Sequence, residues 1–255
     1  MNTTSLLGFS ALFCATAVYA QPMKTIDPAD IANIKRVSTP QISPDGKLVA
    51  YVVETPVAAG THRDEHIWMV STDGSEKPRP FVLSDGADSS PRWSPDGMSI
   101  AFLSDRKNPI TQPGRAPFPF SLTGVEGRTD LEPPEAGAPA STQLWLISAH
   151  GGEAVPLTNI AGGIKSFKWS RDGKKIAFVR KDQDTKTERE RKKAKNDEIT
   201  VDQNYKFDRL WILDVDQHQA HLLTKTEMNI DAGGIDAVLD AQRLTGSGAP
   251  FQFFA

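Results

Sequence analysis

A chain of 255 residues is long enough to bury a core without staples, and its single cysteine, Cys14, permits no intramolecular disulfide. The formal charge is −3 and there is no basic tail, which leaves no electrostatic basis for binding nucleic acid or an anionic membrane surface.

The first charged side chain is Lys24. Before it runs an apolar stretch from Leu6 to Val18, followed by Tyr19-Ala20-Gln21. Small or modest residues at Val18 and Ala20 suit signal peptidase, and the apolar core is short for a bilayer span. Residues 1–20 are therefore expected to be a signal peptide cleaved after Ala20. The product is exported, periplasmic or secreted, with no stable membrane insertion, and loses Cys14 with the leader.

Residues 21–39 are expected to form an N-terminal helix and cap. Asp27-Pro28-Ala29-Asp30 reads as a helix start, with Asp as N-cap, Pro at the first helical position and an acid near the positive helix end. Ile31 and Ile34 are expected to bury one side of that helix against the first strands of the chain.

From residue 40 the chain repeats. The segments Pro40–Tyr51, Pro91–Phe102 and Phe167–Phe178 each read as strand, tight turn and strand, around Ser43-Pro44-Asp45-Gly46, Ser94-Pro95-Asp96-Gly97 and Ser170-Arg171-Asp172-Gly173. Ser and Asp suit the start of a type I turn, Pro presets φ, and Gly takes the positive φ of a bulge that keeps the hairpin twisted. The second strands, Val49-Ala50-Tyr51, Ile100-Ala101-Phe102 and Ile176-Ala177-Phe178, are apolar on both faces, as strands sandwiched between stacked sheets are. A third strand follows each hairpin at Ile67–Val70, Leu144–Ile147 and Leu210–Leu213, with Trp68, Trp145 and Trp211 in the same place. A fourth is expected at Pro80–Leu83, Ala154–Leu157 and Ala220–Leu223. Four strands per unit at a period near fifty residues is the sequence sign of a β-propeller.

Two excursions interrupt the array. Residues 104–141 contain seven prolines, which argues against helix and central strand and for a solvated surface loop, with a lid or partner-contacting loop as the sharper alternative. Residues 180–209 carry ten Lys/Arg against eight Asp/Glu, a mixed run expected to be a solvated helix or loop. Counting from Trp211, a fourth turn falls near residue 239, where Ala237–Leu244 has no Trp, no Ser-Pro and no Gly after Asp240. Residues 231–255 are read as a non-repeat tail, left by truncation or a frameshift. The fold class is all-β: a partial, open or truncated propeller of four-stranded antiparallel blades over residues 40–230, with about three blades plus a starting strand.

The repeat Trp-Ser-Pro-Asp-Gly-x-x-Ile-Ala-Phe resembles the blades of TolB-like propellers and of the N-terminal propellers of prolyl oligopeptidase family serine peptidases. Residues 30–46 and 197–211 are similar to the acylaminoacyl- and dipeptidyl-peptidase-like branch. The resemblance covers roughly residues 26–230. It implies a propeller that gates and orients peptide substrates for a C-terminal α/β-hydrolase domain carrying Ser, Asp and His. That domain has no counterpart in this sequence, so no catalytic residue carries over. The alternative implied is a TolB-like periplasmic propeller that binds a protein partner and catalyses nothing. A lactonase-like enzyme using the propeller channel is a more remote reading.

No residue is therefore assigned a catalytic, cofactor-binding or metal role. Gly97-Met98-Ser99-Ile100-Ala101 lacks the last glycine of a nucleophile elbow and lies in a repeat hairpin. His62-Arg63-Asp64-Glu65-His66 has a zinc-peptidase spacing, but is read as an inter-strand loop with no room for the required helix. His218 and His221 are expected to fall on opposite faces of a turn and strand. Trp68, Trp145 and Trp211 are read as packing between blades, not as a stacking platform for sugar.

Overall fold

The computed structural model describes residues 26–57, 63–107, 121–122, 140–184, 186–194, 205–224 and 235. A short helix, α1 (Pro28–Ala32), precedes the sheets. The Asp30 carboxylate accepts the Asp27 backbone N–H at 3.1 Å, and the Asp30 N–H donates to the Asp27 carbonyl, which fixes the helix start as the sequence implied. The helix does not bury its apolar side: Ile31 and Ile34 are 60% and 56% exposed. Five residues make little more than one turn, too short to lay a stripe on a neighbouring sheet.

The first blade is β1 (Arg36–Ile42), β2 (Leu48–Pro56), β3 (Arg63–Ser71) and β4 (Arg79–Val82), paired antiparallel in sequence order. The second is β5 (Asp88–Trp93), β6 (Ser99–Ser104), β8 (Gln143–Ser148) and β9 (Val155–Pro156). Between β6 and β8 the proline-rich segment contributes β7 (Ser121–Leu122). The third is β10 (Ser166–Trp169), β11 (Lys175–Lys181), β12 (Asp208–Asp214) and β13 (Gln219–Leu222), to which β7 adds a fifth, parallel edge strand. Among its described residues the proline-rich segment thus contributes a two-residue edge strand where a loop was expected.

The charged excursion also starts later and ends earlier than its composition implied. Arg180 and Lys181 close β11, Asp208 and Arg209 open β12, and Lys186–Lys193 between them form a helix, α2. Arg180 and Arg209 are buried; Arg180 Nη2 donates to the Ala161 carbonyl at 3.1 Å and Arg209 Nε to the Asp182 carboxylate at 3.0 Å.

The three turns are built alike. Ser43, Ser94 and Ser170 each place the hydroxyl on Asp45, Asp96 or Asp172 and accept the backbone N–H of Leu48, Ser99 or Lys175 at 2.9–3.0 Å. The glycines close the turns at φ +75°, +72° and +70°, a region costly for any side chain with a Cβ. These serine hydroxyls, with help from the backbone N–H groups of Lys47, Met98 and Lys174, hold the three aspartates below the usual carboxylate range.

Register shows how the blades stack. Ile42, Val49 and Val70 lie in line across β1, β2 and β3 of blade 1, and Tyr51 faces Trp68. The same places in blade 2 are Trp93, Ile100, Ile147, Phe102 and Trp145, and in blade 3 Trp169, Ile176, Leu213, Phe178 and Trp211. This aromatic face packs on the opposite face of the preceding blade. Ile100, Phe102, Trp145 and Ile147 meet Ala50, Val52, Ile67 and Met69, and Ile176, Phe178, Trp211 and Leu213 meet Ala101, Leu103 and Leu144. Trp93 Nε1 donates to the Gln41 carbonyl at 3.1 Å and Trp169 Nε1 to the Arg92 carbonyl at 3.3 Å, locking the innermost strands together. Burying each large apolar side chain is worth about 1.5–3 kcal/mol, so these interfaces are the core.

Candidate functional site

In each blade the Ser-x-Asp-Gly turns lie at one end, so the antiparallel ladder puts the β2–β3, β6–β8 and β11–β12 connections at the other. A cleft of about 600 Å³ opens at that second end, at the junction of blades 1 and 2. Asp64 and His66 reach it from β3, Asp85 from the β4–β5 connection, and Asp105, Arg106 and Lys107 from the chain leaving β6. Gly86 lets these connections touch: a Cβ there would lie 2.5 Å from the Arg106 backbone nitrogen, while the Ala87 N–H donates to the Asp105 carboxylate at 2.7 Å.

The floor of the cleft is a charged network. Asp88, fully buried at the start of β5, takes the Arg106 guanidinium on one oxygen; its other oxygen meets His66 Nδ1 at 3.3 Å and accepts the Ser84 hydroxyl at 3.0 Å. Arg106 is itself seated over the rings of Trp145 (4.8 Å) and Phe102 (5.1 Å). A carboxylate can be buried only with such compensation, and here the donors come from both blades. Between Asp64 and His66 on β3, burial and the neighbouring Glu54 and Asp105 carboxylates push the Glu65 carboxyl up.

This arrangement can bind polar or charged groups. It does not assemble a nucleophile, because the Ser84 hydroxyl faces Asp88 and the Gly86 carbonyl, while His66 turns Nδ1 to the same aspartate. Sequence reasoning missed the cluster. The available signal was Asp88, a charge standing where the next blade has the buried Ile164, five residues before the hairpin tryptophan.

The residues singled out from the sequence are spread apart. Ser99 opens β6, its N–H bonded to Ser94. Arg63–His66 lie in β3, not in a loop, because the β2–β3 ladder runs on to Pro56↔Arg63; His62 lies outside the described residues. His218 ends the turn before β13 at φ +51°, and His221 sits half-buried within β13, where burial and Lys175 hold its imidazole down despite Asp214. Among the described residues no group of three or more His, Cys, Asp or Glu is placed to hold a metal ion. Trp145 and Trp211 are 2% and 3% exposed between blades, whereas Trp68 is only half-buried, since no described blade precedes its own.

Three stacked blades of four antiparallel strands define a partial β-propeller. No protein-family profile matches the chain. It is similar to the uncharacterized peptidase YuxL of Bacillus subtilis, 31% identical over 155 residues, covering 60% of this chain and 18% of that protein. It is also similar to dipeptidyl-peptidase 5 of Porphyromonas endodontalis, 26% identical over 193 residues, covering 70% of this chain and 23% of the relative. The likeness thus spans about a fifth of these relatives' length. Among solved structures, AtxE2 isopeptidase matches 79% of this chain and 32% of its own at 16% identity and a TM-score of 0.51, a likeness of fold. Peptidase relatives and propeller fold together support the resemblance to the propeller region of prolyl oligopeptidase family peptidases. No helix among the described residues is long and apolar enough to cross a membrane.

Proposed function

We propose that this chain is the N-terminal, substrate-gating propeller portion of an exported serine peptidase of the prolyl oligopeptidase family, with catalysis carried by an α/β-hydrolase domain outside these residues. The observation that carries this reading is the 31% identity over 155 residues to a peptidase of which the match covers 18%. The end of the blades that bears the cleft and the long connections would meet peptides on their way to the hydrolase domain, and no nucleic acid or cofactor takes part. Export rests on the leader ending at Ala20, and the N-terminus of processed protein should be Gln21.

The test joins the chain to a hydrolase domain of the family and compares it with the chain alone. The joined protein should hydrolyse peptides. The chain alone should show no turnover above background, and Ser99→Ala should change neither result. Inhibitor-sensitive turnover by the chain alone would overturn the assignment. An inactive joined protein that binds a periplasmic protein tightly would favour the TolB-like alternative.

A further inference from the structure

The first strands of the blades, β1, β5 and β10, are the edges at which successive blades are tied by tryptophan N–H groups. One place on them repeats: Gln41 stands opposite Ala50, Arg92 opposite Ala101 and Lys168 opposite Ala177. The backbone carbonyls of Gln41 and Arg92 accept the Trp93 and Trp169 N–H groups, so the row belongs to the inner wall. All three residues are partly buried, and each side chain carries N–H donors. Two of them are held in place. Gln41 Nε2 donates to the Pro40 carbonyl at 2.8 Å, and Arg92 Nη1 to the Pro91 carbonyl at 2.9 Å. A bulge precedes each, between Ser38 and Gln41 and between Ser89 and Arg92, with Thr39 and Ser90 at φ +46° and +53°. Such angles strain residues that carry a Cβ, and bulges re-aim the side chains beside them.

The charge of this wall opposes that of the chain. β1, β5 and β10 hold Arg36, Arg92 and Lys168 against one acid, Asp88, whose oxygens already meet Arg106, His66 and Ser84. A chain of net charge −3 thus places cations along its inner strands. Arg92 is the member that calls for a partner. The Pro91 carbonyl occupies part of its guanidinium, and no carboxylate meets it among the described residues. Burial pulls the Arg92 guanidinium below its ordinary value, as expected of a cation desolvated without a counter-charge.

We propose that the row Gln41–Arg92–Lys168 binds a peptide carboxylate, taken by the Arg92 guanidinium and oriented by the amide and ammonium on either side. That the ligand is a peptide rests on the peptidase reading; that it is an anion rests on the wall alone. The carboxylate comes from a chain terminus or from an acidic side chain.

Calorimetric titration of the purified chain separates the two sources. The probes are N-acetyl-trialanine as free acid and as amide, and the amides of N-acetyl-alanyl-glutamyl-alanine and its glutaminyl counterpart. At least one carboxylate peptide should bind ~10-fold or more tightly than its neutral partner, the scale of one charge-assisted hydrogen bond. A gain for the free acid identifies a terminus, and a gain for the glutamyl peptide a side chain. Arg92→Gln, which puts the blade 1 residue at the blade 2 place, should abolish the preference. Lys168→Gln should reduce it by less, and Lys174→Gln, exposed at the turn end, should leave it unchanged. Circular dichroism and urea midpoints check the fold of Arg92→Gln. Should that variant unfold, Arg92→Lys carries the test: it keeps the charge, loses the planar fork and should show a reduced preference. No preference for either carboxylate overturns the proposal, as does an undiminished preference in folded Arg92→Gln or Arg92→Lys. Binding alone is read here, so an inactive joined protein would sink the peptidase reading and leave this result standing.

Discussion

The two blade junctions solve one packing problem with different chemistry. Both bury a Phe–Trp pair on an apolar face, and both tie the inner strands with a tryptophan N–H. They part at the connection end. Between blades 2 and 3 the place before the hairpin holds Ile164, and Gln143 and Thr158 bond each other at 2.8 Å in a neutral network that also takes in the Ile160 backbone. Between blades 1 and 2 the matching places hold Asp88, His66 and Ser84, with Arg106 added. The 2–3 junction is sealed by packing, by this network of neutral groups and by the buried Arg180, whose guanidinium donates to the Ala161 carbonyl. The 1–2 junction buries a carboxylate, which needs every partner, and it leaves a polar cleft above itself.

That contrast is broken most severely at Asp88. Asp88→Ala leaves Arg106 in place over two rings without its counter-charge and should cost about 3–5 kcal/mol, the range for orphaning one partner of a buried pair. Urea unfolding measures it. Asp88→Leu combined with Arg106→Leu should recover much of the loss, making junction 1–2 resemble junction 2–3. If the single change costs no more than a surface substitution, the buried-pair account is wrong.

The next comparison sets equivalent tryptophans against each other. Trp145→Ala, between blades, should cost about 3–5 kcal/mol, while Trp68→Ala should cost less because the described residues leave Trp68 only half-buried. Equal losses would mean that the repeat position, not burial, sets the energy.

The turns carry the smallest effects. Ser94→Ala removes the acceptor for the Ser99 N–H and the donor to Asp96, and should cost about 1–2 kcal/mol. It also changes the acid limb of stability. Asp45, Asp96 and Asp172 are held below their ordinary range in the folded chain. Their contribution is therefore present above the unfolded aspartate value of ~3.9 and is lost as pH falls through the lower folded values. Replacing Ser43, Ser94 and Ser170 together by Ala should flatten the stability loss below pH ~4, as followed by urea midpoints against pH. An unchanged slope would show that these serines do not set the aspartate titration.

Much of the fold was legible because it repeats locally. Ser-x-Asp-Gly dictates a turn through contacts spanning five residues, and the flanking apolar runs mark sandwiched strands. The site was less legible, since His66, Ser84, Asp88 and Arg106 come from four segments whose meeting depends on how one blade lies on another. The His-x-x-Glu-His spacing drew attention to the right strand for the wrong chemistry: His66 points at a carboxylate across the junction, and Arg63–His66 extend the ladder. Ile31 and Ile34 failed as core residues because amphipathic spacing names a face without guaranteeing a surface to cover it.

The sequence by itself determined the blade: its four strands, its turn geometry and the apolar character of both faces of its inner strands. Those features depend on neighbours along the chain and on period-two side-chain direction. Only the tertiary structure decided which of three equivalent faces the described residues leave least covered, which junction buries a carboxylate, and that Ile235 lies on blade 3. Burial and charge compensation are set by what packs from a distance, and identical repeats acquire different environments only when they are stacked.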